Sequence, residues 1–180
     1  MKKILLLPAT ILLLLAHQLG AQPKYRYTAN LDAYVGTWVY QNADTTFTLV
    51  IKKGTQSTSL FHSDCLIGGY KLEKGGFVLA DYTQNIPSEF TEDSYSPSNF
   101  PAFWGDNGRS KPEKVNPNKV EIYFLDNSGL LLNGMFILKS PTTANFTVWK
   151  QERVVLLEEG QTYEDPDISV PEDVIMTKVE

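Results

Sequence analysis

The sequence predicts an all-β protein, an antiparallel meander of about eight strands closing into a barrel or sandwich. Three observations carry that prediction. Apolar and polar residues alternate with a period of two in several segments. Turn-forming residues punctuate those segments at short intervals. Helical periodicity is poor everywhere beyond a single turn.

The elements follow in order. Asn30 to Tyr34 reads as one helical turn with Asn30 as its N-cap. Gly36 to Gln41 is the first strand, and Asn42-Ala43-Asp44 turns the chain. Thr45 to Lys53 then places Phe47, Leu49 and Ile51 on one face and Thr46, Thr48 and Lys52 on the other. Cys65 to Glu73 and Phe77 to Thr83 flank Lys74-Gly75-Gly76, a hairpin signal. Lys119 to Leu125 aligns Val120, Ile122 and Phe124. Asp126-Asn127-Ser128-Gly129 leads into Leu130 to Lys139, and Pro141 to Ala144 leads into Asn145 to Gln151. Val154 to Leu157 and Val174 to Lys178 are shorter strands.

Between about 84 and 118 the rhythm breaks. Five prolines and many polar residues share this stretch with Phe90, Tyr95, Phe100, Phe103 and Trp104. A plain linker does not carry five aromatics, and long loops of this kind are usually functional or disordered. The expectation is a surface excursion pinned by its rings, with a short strand near Phe103. Glu158 to Asp173 is acidic and contains proline, and reads as an extended wrap-around segment.

The first 21 residues have the form of a secretory signal. Lys2 and Lys3 precede an apolar run from Ile4 to Leu15, and Gly20-Ala21 offers a cleavage site. The run spans about 12 residues, short of the roughly 20 that cross a bilayer. No cysteine follows it for lipid attachment. The expected product is a single domain, residues 22–180, exported and not lipid-anchored, in the periplasm or outside the cell, without stable membrane insertion.

Losing Lys2 and Lys3 takes the formal charge from −5 to −7, which argues against nucleic acid as a partner. The lone Cys65 cannot form an internal disulfide, so the core must hold the fold. A hydrophobic content of 42% makes that feasible.

Catalytic patterns are lacking. His62 is the single histidine after the signal, so no site built on two histidines exists there. His62-Ser63-Asp64-Cys65 invites a Cys–His pair, but a buried cysteine beside a turn histidine is the simpler reading. There is no Gly-x-Ser-x-Gly elbow and no phosphate-binding glycine loop. The acidic groups around Glu89, Glu92 and Asp93 and around Glu158 to Asp167 lack calcium-loop spacing and read as solvated loops. No catalytic residue, metal or cofactor is expected.

Tyr34-Val35-Gly36-Thr37-Trp38 resembles the Gly-x-Trp opening of lipocalins and other calycin-type barrels. The resemblance implies that Gly36 bends the chain and Trp38 closes the barrel base, with Arg153 as the late arginine packed against it. A wider resemblance spans Tyr34 to Trp38, Thr46 to Lys53, Gly68-Gly69-Tyr70 and Val170 to Lys178. There the chain is similar to a family of secreted Gram-negative proteins of unknown function. It implies a lipocalin-like barrel in the cell envelope or beyond, and no catalytic residues.

Two functional readings follow. In the first, the barrel binds a small, largely apolar molecule, with Tyr70, Phe100, Phe103 and Trp104 as contacts. In the second, the 84–118 loop makes the protein an interaction module or inhibitor of an envelope protein. If Phe100, Phe103 and Trp104 cover the barrel mouth, the first is favoured; if they face solvent, the second.

Overall fold

The structure is a computed structural model that describes residues 26–58, 62–91, 101–151, 160, 162, 164 and 166–179. The expected signal segment, the strand expected at 154–157, Phe100 and Arg153 lie outside the described residues. Ten strands are described: β1 (Gly36–Gln41), β2 (Thr45–Ser57), β3 (His62–Lys74), β4 (Phe77–Asp81), β5 (Glu89–Thr91), β6 (Phe103–Asp106), β7 (Lys119–Leu125), β8 (Leu131–Ser140), β9 (Thr143–Lys150) and β10 (Asp173–Lys178). Short 3-10 turns stand at Leu31–Ala33 and Pro112–Lys114, and no α-helix occurs among the described residues.

Eight strands close an antiparallel barrel in the cyclic order β1-β2-β3-β6-β7-β8-β9-β10. This is the expected meander, interrupted by β4 and β5. β4 extends the β3 edge as a hairpin arm, and β5 adds a short parallel rung to the end of β2. The eight-stranded, side-chain-filled form is what small barrels of this size adopt, consistent with a lipocalin-like barrel.

The turns behave as their residues dictate. Asn42 Oδ1 accepts from the backbone N–H of Asp44 and Thr45, closing the β1–β2 turn. Gly75 and Gly76 hold φ of 58° and 83°, the left-handed pair that a two-residue hairpin requires. At β3 a different glycine pair meets a packing demand. A Cβ on Gly68 would lie 2.3 Å from Val50 O, and one on Gly69 would lie 1.8 Å from Tyr82 O. The chain after β4 folds directly over Gly69, and Tyr82 N–H donates to Tyr70 O at 2.7 Å.

Alternation sends one face of each strand inward. Phe47, Phe124 and Phe146 meet with ring centroids 5.4–6.2 Å apart, and Tyr70 lies 4.7 Å from Phe124. Leu49, Ile51, Leu66 and Phe103 are equally buried. The described interior is therefore occupied by the barrel's own side chains.

The stretch from 84 to 118 departs from the expectation of a surface excursion. β6 is a wall strand between β3 and β7, with Phe103 facing the core. β6 is the short strand expected near Phe103, but its place in the wall has no local signal. It is four residues long, contains Gly105, and is apolar on both faces because Trp104 packs on the outer side with Cys65, Ile67, Ile86 and Leu131. β2 also runs beyond the expected Lys53. Polar Thr55-Gln56-Ser57 shows no alternation, but it gains partners on both edges from β3 and β5.

The expected wrap-around segment is seen at its end. Val170 enters the core, and Ser169 N–H and Oγ–H both donate to Asp126 Oδ2, at 3.0 and 2.9 Å.

Candidate functional site

Of the expected ligand contacts, Tyr70, Phe103 and Trp104 are described, and they are not brought to one site. Tyr70 and Phe103 point into the core and are fully buried. Trp104 points outward and is 5% exposed, stacked on Tyr123 with centroids 5.1 Å apart and planes 17° apart. Phe103 and Trp104 therefore belong to the wall, neither covering the mouth nor facing solvent as the two readings required.

The Tyr70 hydroxyl is buried with no hydrogen-bond partner among the described residues. Burial, reinforced by Tyr82 and Asp126, pushes its pKa well above the ordinary tyrosine value. A buried hydroxyl without a partner costs about 1–3 kcal/mol. Tyr70→Phe is accordingly expected to raise stability by about 1 kcal/mol or more. A denaturant melt checks this, and a loss of stability would show the hydroxyl to be engaged.

At the other end, Gly36 has φ of 133° and leads into the fully buried Trp38. The Trp38 indole N–H donates to Tyr34 O at 2.7 Å, and its ring meets Phe136 edge-on at 5.1 Å. The cation described at this indole is Lys178, whose Nζ lies 5.5 Å from the ring centroid and donates to Ala33 O at 3.3 Å. The Arg153 that the resemblance implies at this indole lies outside the described residues. Only the pairing of β1 with β10, which sets Trp38 opposite Lys178, reveals the lysine.

His62 and Cys65 do not form a pair. Three residues apart on one strand, they point to opposite faces. Burial, with Asp106 and Asp64 nearby, pushes the Cys65 thiol up to about 12, far from a thiolate. His62 Nδ1 lies 2.9 Å from Ser57 Oγ, and that hydroxyl donates to Glu89 Oε1 at 2.8 Å. The serine is thus the middle member and its proton goes to the carboxylate, unlike a nucleophile held by histidine.

A surface that sequence reasoning did not single out lies on the outer wall of β6 to β9. Successive registers place Trp104 opposite Tyr123, Tyr123 opposite Asn133, and Asn133 opposite Trp149. All four point outward, forming one row across four strands. Tyr123 is 44% and Trp149 41% exposed, whereas large rings are normally covered. Between them runs a groove of about 360 Å³, bordered by Lys119, Glu121, Asn133 and Met135. Gly134 lends only its backbone to the floor, because a Cβ there would turn inward and lie 2.3 Å from Thr147 O.

Glu121 is held in place by Arg109, whose Nη2 donates to Oε1 at 2.6 Å. On the far side of Tyr123 is a smaller hollow of about 110 Å³ with Arg26, Gln56 and Asp106. Arg26 Nη2 lies 3.0 Å from Asp106 Oδ1. Burial nevertheless raises the Asp106 carboxyl above its ordinary value, outweighing Arg26 and the Gly108 N–H. A further surface hollow of about 310 Å³ lies against Gly68, Tyr82, Ile86 and Ala102. The row's signal in the sequence was faint: Tyr123 and Trp149 each fall at an outward position beside core residues, which is unremarkable singly.

Comparison with known proteins adds one result. No curated protein and no solved structure matches this chain. One family model spans residues 1–179, and by that match the chain belongs to DUF6705, a family of unknown function.

Proposed function

We propose that this is an exported binding protein that takes a small molecule on the outer wall of its barrel, in the groove between Tyr123 and Trp149. One observation carries the reading: the described interior is filled by rings, while two large aromatic side chains stand exposed on either side of an open groove. A ligand inside the barrel would have to displace rings such as Phe47, Phe124 and Phe146, and close-packed interiors resist that. The groove has the mix expected of a ligand site, apolar surface with a few polar groups. Export draws support from the N-terminal signal pattern. The apolar-in pattern is opposite to that of an outer-membrane barrel, which presents apolar residues to lipid.

A second reading, a protein-interaction module, draws on β4. Phe77, Val78 and Leu79 are 74%, 54% and 49% exposed on a short hairpin strand at the end of the sheet. Apolar edge strands are sites of strand addition by partners.

One experiment separates the two. Immobilised protein is exposed to extract of the native cell envelope, and bound species are read by mass spectrometry. The groove reading predicts small-molecule capture that Tyr123→Ala and Trp149→Ala abolish and Leu79→Lys leaves intact. Capture of a protein that only Leu79→Lys abolishes would replace it with the second reading.

A further inference from the structure

The chemistry of the groove specifies its ligand more closely. We infer that it binds a neutral saccharide of at least two residues, an inference that rests on the outer-wall reading above.

The two rings define the first requirement. Tyr123 and Trp149 lie in one cross-strand row with Asn133 between them, so two strand spacings separate them, about 10 Å. The faces of such rings are electron-rich and attract the positive edges of C–H bonds. A sugar ring presents a flat array of C–H groups with hydroxyls around its rim. Two platforms at this spacing suit two or more linked sugar units better than one compact molecule.

Polar groups at the groove supply the second requirement. The Asn133 side-chain amide has no hydrogen-bond partner among the described residues, and neither do the Tyr123 hydroxyl and the Trp149 indole N–H. An amide offers both donors and acceptors, the pattern that a hydroxyl matches. Glu121 adds an acceptor that Arg109 has already oriented, so little freedom is lost on binding. A purely apolar ligand would strip water from Asn133 and Glu121 and replace none of it.

Charge and backbone exclude the other classes. Lys119 and Glu121 stand two residues apart on the same outward face of β7, so opposite charges meet at the groove. The chain as a whole is acidic, with a formal charge of −5. Neither feature attracts an anionic ligand. β7 and β8 are paired along both edges. Their backbone groups are spent within the sheet, so an extended peptide cannot add as a strand here. Recognition must come from side chains and ring faces, which is how a polyhydroxylated, uncharged ligand is held. The hollow beyond Tyr123, which shares Glu121 and Tyr123 with the groove, continues the strip toward Asp106 and gives a longer oligosaccharide room.

The test is an NMR titration of the purified protein with neutral oligosaccharides: β-linked glucose, N-acetylglucosamine and α-linked mannose oligomers. The chain has three tryptophans, so the indole N–H signal of Trp149 is assigned by its loss in Trp149→Phe. The expected result is a saturable shift of that signal by one class, stronger for the oligomer than for its monosaccharide. Followed through the backbone amide shifts of β7 to β9, which every variant keeps, Trp149→Ala, Tyr123→Ala and Asn133→Ala should each weaken binding about tenfold or more, while Trp149→Phe retains part of it and Phe77→Ala all of it. Unchanged melting temperatures would show that these variants fold. If no oligosaccharide in the panel shifts the signal, the saccharide inference is overturned. A non-carbohydrate molecule captured from envelope extract and lost in Trp149→Ala would overturn it too, leaving the groove reading intact. Saccharide binding that ignores all three alanine variants would overturn both.

Discussion

Trp38→Ala is expected to lower stability by about 3–5 kcal/mol, a fall of roughly 10–15 °C in melting temperature. The substitution removes a fully buried indole and its edge contact with Phe136. It also leaves Tyr34 O without its donor and the Lys178 amine without its ring. A domain's whole stability is about 5–15 kcal/mol, and Cys65 is free, so no disulfide compensates. Trp104→Ala belongs in the same experiment. Sequence position alone puts Trp104 in a surface loop and predicts a substitution that leaves melting nearly unchanged and acts on binding instead. The structure reverses that expectation. Trp104 is buried in wall strand β6, stacked on Tyr123 and packed with Cys65 and Ile67, so its loss should cost about 2–3 kcal/mol. Paired thermal melts check both values. A Trp104→Ala protein that melts like the parent would mean that β6 is not part of the wall.

Asp126→Ala should be nearly as damaging, about 3 kcal/mol. Its carboxylate accepts five hydrogen bonds: from Ser128 N–H and Oγ–H, Leu130 N–H, and Ser169 N–H and Oγ–H. The first three shape the β7–β8 turn, and the last two tie the segment before β10 across it. Removing the acceptor strands the buried Leu130 N–H and frees Ser169 together. Burial opposes the charge on Asp126, but the bonds from Ser128, Ser169 and Leu130 outweigh it and hold the carboxyl below its ordinary value. A depressed folded pKa contributes stability above the unfolded value, about 3.9, and that contribution disappears as pH falls through the lower folded value. Denaturant melts between neutral pH and pH 2 should therefore show parent and Asp126→Asn converging below about pH 4. A gap that stays constant down to pH 2 would assign the effect to packing.

The fold class was legible because it rests on local pattern. Phe47, Leu49 and Ile51 alternate with polar residues, as do Val120, Ile122 and Phe124, and a half-buried strand must show that alternation wherever it lies. Gly75-Gly76 and Asp126 to Gly129 encode their turns in their own backbone preferences. Gly36–Gln41 and Lys119–Leu125 accordingly have the bounds that the sequence predicts.

What the tertiary structure alone decided is register and coverage. Whether Phe103-Trp104 is loop or wall depends on β3 and β7 arriving on either side, and those strands lie far away in the chain. Lys178 reaches Trp38 because β10 closes the barrel against β1, a pairing across nearly the whole domain that no spacing reveals. Tyr123, Asn133 and Trp149 are separate outward residues in the sequence. They become one groove only when β7, β8 and β9 pair in this register, since a slip of one residue would turn each ring to the other face.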